Sequence, residues 1–365
     1  MTFIPIEIFI LIGIAQGLFL IIGLSGIRKK NKTANDYLIA FLIVTTLLLL
    51  ARLRFTRGLD ADYMRLGRLI DVVFFMYCPL LYGYLKQVTY KGKYSMHKIH
   101  FIPLIISLLI GIYFVILPID VYLQMLSKGQ LELYFILTEL AMTLLNFTYL
   151  ILSFRHLKKY EQNEKHLLSF RQSNVTYLKV YLWSITLCIL CWLCVLANNL
   201  FFKTNMGIIN YGTIWIGMSF STYIIAYYSL IHSKIFQFEN EKDNTITNRL
   251  LPQDIEHLQA KLDALMSKED IYLDPKLTLQ DFSKKIKASS NDVSWFLNTI
   301  LDKSFYNYIN QFRIKAFVRK LERNEHKTQT ILALSMEVGF NSKSTFNKAF
   351  KLEMNETPSH YIKKL

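Results

Sequence analysis

Apolar residues run through the first two thirds of this chain in long unbroken blocks, and only the last third shows helical alternation. Residues 3–27 are apolar and end at Arg28-Lys29-Lys30, a length that crosses a bilayer as a helix. Comparable blocks follow near 37–51, 69–85, 101–117, 131–154, 181–202 and 208–231. The pattern predicts about seven spans, more than the interior of a soluble domain could hold. The first block is no secretory signal, since no basic stretch precedes it and no small-residue cleavage site follows. At 233–248 the composition turns polar, which reads as a linker and a domain boundary.

Beyond Pro252 the spacing is that of amphipathic helices. Ile255, Leu258, Leu262 and Leu265 alternate intervals of three and four. This short heptad-like seam suits either packing on the chain's own domain or a homodimer contact through 252–266. Leu279, Phe282 and Ile286 form one apolar stripe. Ser289 is placed to cap a second helix, with Val293, Phe296 and Leu297 inward and Asn291, Ser294, Trp295 and Asn298 outward. Phe305, Tyr308, Ile309 and Phe312 predict a central helix carrying Arg313, Lys315, Arg319, Lys320 and Arg323. Those charges suit either a solvated face or phosphate contact that fixes register. Finally Ile331, Leu334 and Val338 make a helix that Gly339 ends, and Ser342 caps another. Phe346 and Phe350, four apart, face its core and leave Lys343, Ser344, Asn347 and Lys348 outward.

The run Leu334-Ser335, Val338-Gly339-Phe340, Ser342, Ser344, Phe346, Phe350-Lys351, Thr357-Pro358, Tyr361 resembles the second helix-turn-helix of AraC-type transcription regulators. The resemblance covers about a quarter of the chain, from Tyr272 to Lys364. Ser335 replaces the family's usual Ala, and Asn355 its usual Gly. Asn is the next best residue for a left-handed conformation. The resemblance implies two helix-turn-helix motifs that read successive major grooves of double-stranded DNA. Base readout then falls to Lys343, Ser344, Thr345, Asn347 and Lys348, with Asn291, Ser294, Trp295 and Asn298 in the first motif. Phosphate contact falls to Arg313, Arg319, Arg323 and Lys351. The expected fold is all-α. A bundle of about seven transmembrane helices occupies 1–232, a linker and coupling helix 233–270, and the AraC-type domain 271–365.

Composition agrees with two environments. The 365 residues are 52% hydrophobic and 19% charged, yet the formal net charge is +15, and mean hydropathy is +0.26. This is too apolar for an ordinary soluble domain, and the basic excess suits a polyanion or an anionic surface. Basic loops after the first, third and fifth spans place those loops in the cytoplasm, the N-terminus outside and the C-terminus inside. This expectation sets the protein in a bacterial inner membrane. Arg52, Arg54, Arg57, Arg65 and Arg68, interleaved with Asp60, Asp62 and Asp71, flank the turn between spans two and three. They read either as snorkelling residues with local ion pairs or as an anion-binding mouth for an unknown small-molecule or protein signal. Arg54, Arg57, Arg68 and the intramembrane Glu139 are therefore the candidate ligand-sensing residues. Asn146, Asn198 and Asn199 read as inter-helix hydrogen-bonding groups.

Cys188, Cys191 and Cys194 share one helix stripe among Leu, Ile, Trp and Val, a setting that suits packing rather than metal ligation. No nucleotide loop, dinucleotide fingerprint, zinc motif or nucleophile elbow occurs. The sequence thus implies no enzyme, cofactor or metal. The rival reading, a membrane enzyme or transporter with a basic regulatory tail, needs catalytic polar pairs or inverted repeats that the bundle does not display.

Overall fold

The computed structural model describes residues 5–26, 32–55, 61–89, 94–170, 176–202, 204, 210–231, 250, 252–268 and 270–365. Among the described residues the regular elements are all helices, with one isolated bridge between Leu168 and Thr278. The chain forms two compact units. The first takes Met1–Leu157 and Ser173–Asn240, and the second Lys158–Gln172 and Glu241–Leu365.

The first unit is built from α1 (Pro5–Gly26), α2 (Lys32–Phe55), α3 (Ala61–Asp71), α4 (Tyr77–Thr89), α5 (Ile102–Ile116), α6 (Ile119–Ser127), most of α7 (Glu132–Leu167), α8 (Thr176–Ala197) and α9 (Tyr211–Ile231). Among the described residues, 6 helical stretches are long and apolar enough to cross a membrane. α9, with 21 residues, occupies the seventh apolar block. The interior is aromatic: Phe74 stacks on Trp192 at 5.5 Å, and Trp192 meets Trp215 at 5.3 Å. Large apolar side chains such as Phe19, Ile22, Ile116 and Trp183 stand exposed on the outside. Such a surface has the apolar character that a lipid-facing helix bundle requires.

The third apolar block is not one regular helix. α3 and α4 are joined by a 3-10 turn at Val72–Met76, and hydropathy averaged over a window does not register the break. Asn146 of α7 repairs it. Its Nδ2 donates to the Phe74 carbonyl at 2.9 Å, and its Oδ1 accepts the Cys78 N–H at 2.8 Å. A backbone broken within an apolar bundle needs such side-chain partners. Asn198 plays a similar part with Thr204, through bonds of 2.7 and 2.6 Å.

The second unit continues with α10 (Pro252–Lys268), α11 (Leu279–Lys285), α12 (Ser290–Trp295), α13 (Phe305–Glu322), α14 (Ile331–Glu337), α15 (Lys343–Met354) and α16 (Pro358–Ile362). One hydrophobic core unites it, running from Leu258, Leu262 and Leu265 of α10 to Phe282, Phe296, Phe317, Phe346 and Phe350. The α10 seam is therefore occupied within the chain's own domain. The expected linker at 233–248 lies outside the described residues.

Candidate nucleic-acid interface

α14 and α15 form a helix-turn-helix whose geometry follows residue by residue from the sequence. The Thr330 hydroxyl caps α14 by accepting the Ala333 N–H at 3.1 Å. Ser335 is fully buried, and its hydroxyl donates to the Leu332 carbonyl at 2.7 Å, so the polar atom is satisfied where it sits. The turn pivots on Gly339 at φ +94. A Cβ there would lie 2.5 Å from the Tyr272 carbonyl oxygen, so only glycine fits. Ser342 caps α15 through the Thr345 N–H at 3.2 Å. Phe346 packs 4.7 Å from Phe317, and Phe350 is fully buried beside it. α15 ends on Asn355 in the left-handed conformation, φ +59.

This packing leaves Lys343, Ser344, Asn347, Lys348 and Lys351 exposed along one helix. Thr345 departs from its expected role. It is buried, with its hydroxyl beside Ser342 at 2.9 Å, because the third position of a capped helix turns inward toward the capping side chain. It does not face a groove.

α11 and α12 form the first helix-turn-helix, with caps from Thr278 and Ser289. The turn between them uses Lys287 at φ +53 where the second motif uses glycine. α12 passes into a π turn over Phe296–Ile300. Asn291 is exposed, Ser294 and Asn298 are half-buried, and Trp295 packs partly against the hydrophobic core. Asn298 is already engaged. Its Nδ2 donates to the Ser294 carbonyl at 2.8 Å, and its Oδ1 accepts from His166 Nδ1 at 2.9 Å.

Residues 282–364 match a family model described as a helix-turn-helix domain. The C-terminal part of this chain is an AraC-type helix-turn-helix domain. An uncharacterized HTH-type transcriptional regulator, YdeC of Bacillus subtilis (strain 168), is 32% identical over 88 residues. That stretch is 24% of this chain and 29% of the relative, so the chain matches less than a third of the relative's length. No solved structure matches the chain significantly. The domain is thus a DNA-binding module of the kind found in transcription regulators.

α13 joins the two motifs of the AraC-type domain, and here one expectation is corrected. Arg313, read as a phosphate contact, has no exposed surface. Its Nε donates to the Tyr272 carbonyl at 2.7 Å, Nη2 to the Asp274 carbonyl at 2.7 Å, and Nη1 to the Ser169 carbonyl at 2.9 Å. Nη2 also lies 3.1 Å from the Ser169 hydroxyl. A planar guanidinium with five donors can tie several carbonyls at once, which the single ammonium of lysine does less well. Burial pushes this guanidinium down to about 10 from the ordinary arginine range. Arg319, Arg323 and Lys315 are exposed, and Arg319 Nη2 lies 3.5 Å from the Tyr272 hydroxyl. Lys320 is held by Glu325 at 2.9 Å and Glu337 at 2.7 Å.

The partner of Arg313 is the feature that sequence reasoning missed. Residues 158–172, the tail of α7 and the short segment after it, belong to the same compact unit as the AraC-type domain. Ser169 is fully buried there. Its N–H and hydroxyl both donate to the Leu277 carbonyl, at 3.2 and 2.7 Å, and Leu168 bridges Thr278. No local spacing around Ser169 announces a partner 144 positions away.

The expected ligand-sensing residues divide. Arg57 and the side chain of Arg54 lie outside the described residues. Arg68 and Glu139 line one cavity in the first unit, with Arg52, Arg65 and Asp71.

Proposed function

We propose that this protein is a membrane-embedded, sequence-specific transcription regulator that couples a membrane or extracytoplasmic signal to gene expression. The reading is carried by one observation. A single chain joins helices long enough to cross a bilayer to an AraC-type domain with two capped helix-turn-helix motifs. In this reading the bundle sits in a bacterial inner membrane. Its basic loops and the AraC-type domain lie in the cytoplasm. Lys343, Ser344, Asn347 and Lys348 read base edges, with Asn291, Ser294, Trp295 and Asn298 in the neighbouring groove. Arg319, Arg323 and Lys351 hold phosphates.

α7 supplies a covalent route for the signal. It carries Glu139 in the bundle and leads directly into Leu168-Ser169, which Arg313 clasps. A ligand that binds one arrangement of the bundle better than another shifts α7 and thereby the stability of the first reading head. Two copies of the chain would set the spacing of the heads. Since the Leu258 and Leu262 faces are buried, a contact through 252–266 would use the outer face of α10, around Glu256 and Gln259.

Genome-wide DNA occupancy tests the reading. Full-length protein should mark a limited set of promoters, and Lys348→Ala should erase them while leaving the protein in the membrane fraction. Unaltered occupancy in that variant, or a profile no different from a strain without the protein, would remove the proposal.

A further inference from the structure

The bundle holds a cavity of about 380 Å3, within the size range of small-molecule sites. Its walls are largely aromatic and apolar, with Phe114, Tyr134, Trp192 and Trp215 among them. It lies between the first turns of α1, α7 and α9 and the last turns of α2, α5 and α8. All of these helix ends fall at the end of the bundle where α1 begins.

The charges in this cavity do not balance. Three guanidiniums, Arg52, Arg65 and Arg68, face two carboxylates, Asp71 and Glu139. Arg52 and Asp71 are paired at 2.6 Å. Arg65 closes the C-terminal end of α5 through the Phe114, Val115 and Leu117 carbonyls. Glu139 Oε1 accepts hydrogen bonds from Trp192 Nε1 and the Tyr211 hydroxyl, both at 2.8 Å. Arg68 lies over the Phe135 ring at 4.4 Å. Among the described residues it has no hydrogen bond or ion pair. One positive charge is thus left at the mouth of an apolar chamber, where an anion gains most. Both carboxylates already have partners, so an ammonium ligand finds no vacant acceptor of comparable strength.

We infer that this cavity binds an amphipathic organic monoanion, an anionic headgroup on a compact aromatic or acyl body, with Arg68 as its anchor. The inference rests on the sensor role proposed for the bundle and adds the chemistry of the signal. A freely diffusing acid and an anionic lipid share this chemistry.

Full-length protein in phosphatidylcholine nanodiscs provides the test. Its thermal midpoint is followed while 4-phenylbutyrate, 4-phenylbutyramide or 4-phenylbutylamine is titrated in. The acid should raise the midpoint saturably, well above the amide, and the amine should have no effect. Arg68→Gln should weaken the response to the acid by about tenfold or more, and Arg68→Lys should retain part of it. If phosphatidylglycerol in the nanodisc alone raises the midpoint and blunts the acid titration, the natural occupant is a lipid headgroup. If phosphatidylglycerol has no effect, it is a free acid. The inference is overturned if the amine matches the acid, if Arg68→Gln responds like the parent, or if neither millimolar acid nor anionic lipid shifts the midpoint. Promoter binding measured on the same preparation separates the two proposals. DNA binding without acid binding removes only the ligand site, and acid binding without DNA binding removes only the regulator reading.

Discussion

Single residues divide here into those proposed to read DNA and those that hold the domain together. Lys348 is exposed on α15, and Arg319 on α13. Lys348→Ala should lower operator affinity and relax preference at one base position, by about 1–3 kcal/mol. Arg319→Ala should weaken all duplexes alike and reduce the slope of log affinity against log salt by about one. Binding isotherms on operator and random duplex at several salt concentrations distinguish the two, and equal losses on both duplexes for Lys348→Ala would count against base readout. Arg313 belongs to the other class. Arg313→Lys cannot reach the Ser169, Tyr272 and Asp274 carbonyls together, so it should cost about 3 kcal/mol or more of stability. The salt slope of the protein that remains folded should not move. A stability like the parent's would show that the clasp contributes little. The cost of burying this charge is fully present at neutral pH. It is relieved only as pH rises through the folded pKa of about 10, which lies below the ordinary arginine value.

At the scale of elements, the sequence was readable wherever the partner of a residue was local. The paired Phe346 and Phe350, the caps at Ser289 and Ser342, and Gly339 at the turn gave both the helices and the outward set Lys343, Ser344, Asn347 and Lys348. Where the partner was remote, reading failed. Arg313 carries a formal charge and so passed for a surface residue, and only the distant Ser169 explains its burial. The break between α3 and α4 escaped for the same reason, since its repair comes from Asn146 on another helix. The seam of α10 allowed two partners, and its burial in the domain core favours the internal one. Leu262→Asp should therefore lower the unfolding midpoint of the second unit at every protein concentration. A change in association alone, with the midpoint kept, would restore the dimer contact as the role of that face.

For the whole molecule, orientation is the property on which the proposed function turns. In the proposed topology the basic loops and the C-terminus lie inside. A peptide tag following Leu365 should be shielded from an impermeant protease in spheroplasts and cut after lysis, and cutting in intact spheroplasts would reverse the topology. The strap at 158–172 then carries a further consequence. The polypeptide passes between the two units three times, at the two ends of this strap and again within 233–248. Proteolysis in that last stretch would liberate a fragment stripped of Ser169, leaving Arg313 only its Tyr272, Asp274 and Asn310 acceptors. Such a fragment would leave the membrane already weakened. If the bundle is embedded as proposed, the chromosome has to travel to the bilayer, because the part that grips it loses some of its own support when cut loose.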